Sequence, residues 1–414
     1  MLPQTKGNET NIKLPFAFIG FSMPALILSQ LLMLLNGDLL VSGAFRTPAI
    51  WASAHLFLLG WALMTVMGAM YQLVPVAFLT PIWNERFGFV QFTVTASGIG
   101  SFALFLYINP GHALFPGILT LTGILMFLVQ MFMTLKSQAK ATVLTLFICA
   151  ALFSLLGTVS LGLTLVISMA TGFASEYFQA IFHSHILLGT AGWFSLLIFG
   201  FSYKMVPMFS LSHEYTMKPA PFLFAIYALG LITTLYSFIA DSNSYSIMGT
   251  FLLFAGFVLF AWHIKLIIDR RVKRKLDRPF QFALLAIVLG VFIHLMVFVS
   301  AAAGVFSKFA GVLIFLYLFA WIAFSIIGYL YKIVPFLWWT HKYSKEIGKQ
   351  KVPALKEMID EKIALPLFLL FCSSVFIIVI SLGLKMLQFF YIGQGLMLAA
   401  VTIFSGAVVK VIRK

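Results

Sequence analysis

Long apolar runs alternate with short polar interruptions along the whole chain. The runs cover approximately residues 14–36, 48–78, 88–108, 114–135, 141–169, 179–208, 220–240, 246–264, 280–304, 308–338, 362–384 and 388–410. Roughly 20 helical residues cross the ~30 Å hydrocarbon core of a bilayer. Each run is long enough, so the pattern predicts an all-α integral membrane protein with twelve transmembrane helices.

One phrase recurs at the ends of these runs. "GAMYQLVP" at 68–75, "GFSYKMVP" at 200–207 and "GYLYKIVP" at 328–335 close the second, sixth and tenth, at separations of 132 and 128 residues. A triple Gly-x-x-Tyr-x-x-Val-Pro predicts three four-helix repeats, a pseudo-threefold plan within one transmembrane domain. The repeats cover approximately 1–80 together with 362–414, then 88–208, then 220–338, with no soluble domain. Inside the motif, Gly permits close helix approach. Tyr is expected at the inner headgroup level, and Pro is expected to stop or kink the helix at the cytoplasmic boundary.

Composition excludes a water-soluble globule. The 414 residues are 62% hydrophobic and 9% charged, with 46 phenylalanines, far too little polar surface for a soluble fold. The net charge of +15 adds a direction. Of 27 Lys and Arg, all but Arg46, Lys308 and Lys385 fall on the side of the two termini. The positive-inside rule therefore predicts a multi-pass protein of the cell membrane with both termini cytoplasmic. The densest run, "KLIIDRRVKRKLDR" at 265–278, lies in a short loop between spans. It reads as a topology determinant meeting anionic headgroups and not as a nucleic-acid patch. The N-terminal segment lacks a small-residue cleavage site, so the first helix is expected to be retained. Cys149 and Cys372 lie within different spans, which suits neither a disulfide framework nor a thiolate metal site.

The candidate chemistry is in the histidines. His55 precedes the first motif in "SAHLFLLGWALMTVMGAMYQLVP", and His183 and His185 precede the second in "HSHILLGTAGWFSLLIFGFSYKMVP". Imidazoles in lipid are costly, face the interior of the bundle and find partners. Two at one depth on repeat-related helices suit the axial positions of a six-coordinate haem iron, which takes neutral nitrogen ligands in an apolar, aromatic slot. His183 and His185 are two residues apart, about 200° around a helix, and so cannot both ligate one metal from a single face. Repeat symmetry makes His185 the better counterpart of His55. His294, in "VFIHLMVFVS" on the ninth helix, is a third ligand or a partner. His263 and His341 fall at the cytoplasmic boundary and His112 and His213 in loops, where solvated imidazoles are expected. Met64, Met67 and Met70 share one face of the second helix. Thioethers bind Cu(I), but in a chain with 18 Met they read as adaptable packing, so copper is not expected.

The residues from Ser53 to Pro75 resemble a helix of subunit I of the haem–copper oxidases, in the cbb3-type and nitric-oxide-reductase-like branch. There the tenth helix reads His-x-His, then Gly-Trp, then Gly-x-x-Tyr-x-x-x-Pro. His55, Gly60, Trp61, Gly68, Tyr71 and Pro75 match that spacing without a gap. The segment from His183 to Pro207 keeps both histidines, Gly192, Trp193, Gly200 and Tyr203 but is two residues longer. The resemblance implies the same twelve helices in three four-helix arcs. The departures are equally specific: the tenth span, "AGVLIFLYLFAWIAFSIIGYLYKIVP", has no histidine, and neither has the seventh, "APFLFAIYALGLITTLYSFIA", which in the family carries copper ligands. The resemblance thus implies a degenerate member without the copper site and not a competent terminal oxidase. None of the 12 Asp and Glu lies deep in a span, which argues against a proton pump.

The expectation is a protein that binds haem b through His55 and His185, with His183 and His294 as further candidates. It would transfer an electron, or bind or sense O2 or NO. The alternatives are a copper or haem transporter or assembly factor, and a haem-free structural subunit. Expected partners are the lipid bilayer and either respiratory-chain subunits or further copies of the chain, and not nucleic acid.

Overall fold

The computed structural model describes residues 10–359 and 361–413. Twelve helices are long and apolar enough to cross a membrane: α1 (Lys13–Leu35), α2 (Pro48–Phe78), α3 (Glu85–Ile108), α4 (Leu114–Lys136), α5 (Val143–Thr171), α6 (Ser175–Ser210), α7 (Pro219–Ile239), α8 (Asn243–Asp269), α9 (Arg278–Ala302), α10 (Phe306–Glu346), α11 (Lys362–Leu384) and α12 (Leu387–Ile412). The described residues contain no β-strand, and an isolated bridge pairs Ser212 with Arg271. The protein is all-α and multi-pass. Side chains such as Phe115 on α4 (80% exposed) and Phe153 on α5 (74% exposed) point outward. In a transmembrane protein that surface is in contact with lipid.

Local chemistry sets several helix ends. The Asn84 side chain accepts from the Phe87 N–H at 3.0 Å and caps α3, while Thr142 and Thr145 form a reciprocal capping box before α5. Gly172, at φ +77°, ends α5 in the left-handed region that glycine enters without strain.

The described residues divide into two compact units. One contains those up to Ala139, Arg278–Ala283 and those from Ile326 onward; the other contains Lys140–Asp277 and Leu284–Ser325. The first unit holds α1 to α4, α11 and α12, and the second holds α5 to α8. Helices α9 and α10 each contribute to both.

The three motif helices α2, α6 and α10 follow one plan. Each contains a π-helical segment, Leu56–Leu63, Leu188–Ser195 and Tyr317–Ala323 respectively. Each segment carries a buried tryptophan, Trp61, Trp193 or Trp321, ten residues before the motif tyrosine. The motif glycine then sets the helix against the span before it. A Cβ on Gly68 would lie 2.8 Å from the Pro15 carbonyl oxygen, one on Gly200 would lie 3.0 Å from Phe147 Cβ, and one on Gly328 would lie 2.8 Å from the Ala283 nitrogen. Close helix approach is therefore the work of this glycine in all three copies.

The tyrosines depart from expectation. Tyr71, Tyr203 and Tyr331 are buried, at 0%, 5% and 0% exposure, and do not lie at a headgroup surface. The prolines behave as expected in two copies. Pro75 has no N–H for the Tyr71 carbonyl, and the Thr10 hydroxyl supplies the missing donor at 3.0 Å. Helices α2 and α6 end shortly afterward on Leu79 and Leu211, both left-handed, with the Thr80 and Ser212 N–H groups bonded back to the Pro75 and Pro207 carbonyls at 3.3 and 3.1 Å. Pro335 stops nothing, and α10 runs past its expected end at about 338.

Candidate functional site

His55 lies one residue before the first π-segment, half-buried on α2. Its Nδ1 is 2.8 Å from the Trp51 carbonyl oxygen. A carbonyl has no proton to give, so Nδ1 carries the proton, and in the neutral ring Nε2 carries the lone pair. The ring meets Phe102 of α3 edge-on, with centroids 5.3 Å apart.

His185 on α6 also bonds a backbone carbonyl through Nδ1, but across to the neighbouring helix and not within its own. Its Nδ1 is 2.8 Å from the Thr158 carbonyl oxygen on α5, so Nδ1 again carries a proton and the neutral ring has its lone pair on Nε2. Gly162 makes room for the ring, since a Cβ there would approach His185 Cε1 to 2.9 Å. An outer-shell carbonyl on Nδ1 is what orients a metal-binding imidazole and raises the basicity of its other nitrogen. His183 turns away, exposed, with its ring 5.4 Å from Phe238 on α7. The two histidines of this pair thus serve opposite neighbours, as their angular separation requires.

The tryptophans of the same π-segments add a second observation. The indole Nε1 atoms of Trp61 and Trp193 are buried and have no hydrogen-bond partner. In the third copy, which lacks a histidine, Trp321 Nε1 donates to Ser195 Oγ at 2.9 Å. An orphaned buried donor costs about 1–3 kcal/mol. The two motif helices that carry His55 and His185 therefore each hold a buried indole N–H with no acceptor.

His294 on α9 belongs to a different cluster, within the second unit. It is 4% exposed and lies against Phe257 of α8, with ring centroids 4.2 Å apart. Nδ1 donates to the Gly290 carbonyl at 2.7 Å, and Nε2 is 3.3 Å from the Tyr317 hydroxyl of α10. With Nδ1 protonated, Tyr317 is the donor in that second bond. The Tyr317 oxygen in turn lies 2.8 Å from Ser195 Oγ, and the Tyr227 hydroxyl donates to the Ala191 carbonyl at 3.2 Å. Helices α6, α7, α9 and α10 thus meet in a buried polar network with hydroxyls on both sides of one proton-sharing contact.

His263 is a correction to the sequence reading. It is not solvated but 1% exposed, with Nε2 2.9 Å from the Thr216 carbonyl and Nδ1 3.1 Å from the Tyr203 hydroxyl. The carbonyl fixes the proton on Nε2, so Tyr203 donates to Nδ1. The motif tyrosine of the first copy is paired in the same spirit: Tyr71 donates to Gln91 Oε1 at 3.0 Å, and Gln91 Nε2 donates to Thr95 Oγ1 at 2.7 Å. Sequence reasoning missed both pairs, because the partners lie on helices that carry no matching motif.

Met64, Met67 and Met70 are all fully buried in α2. Among the described residues, no three His, Cys, Asp or Glu side chains gather where they could hold a metal ion. The chain matches no protein-family model and no curated protein.

Proposed function

We propose that the protein binds b-type haem in the membrane and acts in electron transfer, and that the imidazoles of His55 and His185 are the residues that would hold haem iron. The observation that carries this reading is the shared setting of the two rings. Each lies just before a π-segment of a motif helix, with Nδ1–H held by a backbone carbonyl at 2.8 Å, so that the neutral ring would ligate through Nε2. Neutral nitrogen donors, the edge of Phe102 and the unpaired indole N–H groups of Trp61 and Trp193 fit such a group. Haem held by these residues would supply a reversible one-electron couple. The residues fix the imidazole planes and tautomers and keep the surroundings apolar.

The His, Gly-Trp and Gly-x-x-Tyr-x-x-x-Pro matches support descent from oxidase subunit I with the dioxygen-reducing centre lost. The Lys and Arg asymmetry supports a cell-membrane protein with both termini in the cytoplasm, which sets His55 and His185 toward the outer side.

The visible spectrum of the purified protein tests this reading. A sharp reduced α band that carbon monoxide leaves unmoved is the expected result, while a Soret band shifted by carbon monoxide would replace electron transfer with the binding of O2 or NO. Absence of Soret absorption after expression with ample haem would overturn the proposal. His55→Ala and His185→Ala should each remove absorbance. Complete loss in either variant means that both rings serve one iron, and half loss in each means two haems. Retention of the full spectrum in both variants would remove the ligand assignment.

A further inference from the structure

A groove of about 460 Å3 opens on the first unit between α1 and α12. Met23 and Pro24 line one wall, Thr402 and Gly406 line the other, and Lys410 and Arg413 stand at one end. It exists because side chains are missing there. A Cβ added to Gly406 would meet nothing within 4 Å.

Its floor makes no polar demand. Thr402 Oγ1 donates to the Leu398 carbonyl at 2.7 Å, and Ser405 Oγ donates to the Val401 carbonyl at 2.8 Å, so both hydroxyls are satisfied by their own helix. Among the described residues, neither Lys410 nor Arg413 forms an ion pair. An apolar trough that ends in two cations is complementary to an acyl chain with an anionic headgroup.

Its length selects the occupant further. From Thr402 to Arg413 the helix rises about 16 Å, half the ~30 Å hydrocarbon core. That is the reach of a lipid in one leaflet, whereas a partner helix would need a trough along the full span. We propose that the α1–α12 groove is a binding site for an anionic phospholipid, with its phosphate on Lys410 and Arg413 and an acyl chain along Pro24 and Gly406. The site is independent of haem. The cytoplasmic orientation serves only to name the inner leaflet, which is the leaflet rich in anionic lipid.

Native mass spectrometry of the full chain, released from detergent with added phosphatidylglycerol or phosphatidylcholine of identical acyl chains, tests the site. Phosphatidylglycerol adducts should exceed phosphatidylcholine adducts several-fold. Lys410→Gln with Arg413→Gln should abolish that preference, and Gly406→Phe should lower both adducts by filling space that is open. Equal binding of the two lipids, or a phosphatidylglycerol preference that survives both variants, would overturn the proposal. So would a dimer that takes the place of lipid adducts and disappears in Gly406→Phe.

Discussion

Replacing Tyr203 by Phe removes the hydroxyl that donates to His263 Nδ1 and leaves a buried acceptor behind, at a cost of about 1–3 kcal/mol. His263→Ala removes the other side of the same bond and also frees the Thr216 carbonyl. The two changes should therefore be non-additive, with a coupling energy of about 0.5–3 kcal/mol in a double-mutant cycle read from thermal unfolding in detergent. Strict additivity would mean that the contact contributes nothing. This pair also shows which side chains a sequence can reveal. His55 and His185 stand out because a repeated phrase downstream gives each of them an address. Tyr203 and His263 are 60 residues apart, and Tyr317 and Ser195 are 122 apart, with no repeated spacing to join them. Helices that meet in three dimensions bring these partners together, and nothing in the local pattern records it.

At the scale of the helix, the motif is a packing device more than an anchor. Its glycine admits the preceding span, its tyrosine goes inward, and its proline leaves the Tyr71 carbonyl to Thr10 in the first copy. Gly68→Ala should destabilise the protein by about 1–3 kcal/mol, because the new methyl would meet the Pro15 carbonyl at 2.8 Å and backbone cannot move aside cheaply. Gly20→Ala on α1, where a Cβ meets nothing within 4 Å, should be neutral or stabilising by up to about 1 kcal/mol. Thermal midpoints of the two variants in detergent provide the check, and an equal response would refute the packing role. The close approach was legible from Gly in an apolar helix. The π-segments were not, since an inserted residue changes the hydrogen-bond ladder without changing which residue types are apolar. The inward tyrosines were misread for a related reason: a Tyr near the end of a span fits a headgroup position or a buried pair equally well until its neighbours are known.

For the whole molecule, twelve spans could be counted from the sequence because length and hydropathy are properties of each segment alone. Most predicted boundaries lie within a few residues of the helices, and α10 overran because its last turns, through Trp338 and Trp339, continue past a proline. The division into two units was not legible, since residues Arg278–Ala283 of α9 and those of α10 from Ile326 belong to one unit and the rest of these helices to the other. Repeated motifs mark places of matching sequence in the chain and say nothing of where contacts are densest.

Orientation is likewise a property of the whole chain, because it rests on the distribution of all 27 Lys and Arg. If charge decides the insertion, the loops that contain Arg46, Lys308 and Lys385 face outward, and those that contain Lys140, Lys275 and Lys349 face the cytoplasm. Labelling of intact cells with a membrane-impermeant maleimide tests this. With Cys149 and Cys372 replaced by Ala, a cysteine at 46, 308 or 385 should react, while one at 140, 275 or 349 should react only after the cells are opened. The reverse pattern would invert the topology and would move His55 and His185 to the cytoplasmic side, where an electron partner would have to be sought in the cytosol. A mixture of both patterns in one population would show that +15 of net charge, however lopsided, does not fix the insertion of this chain.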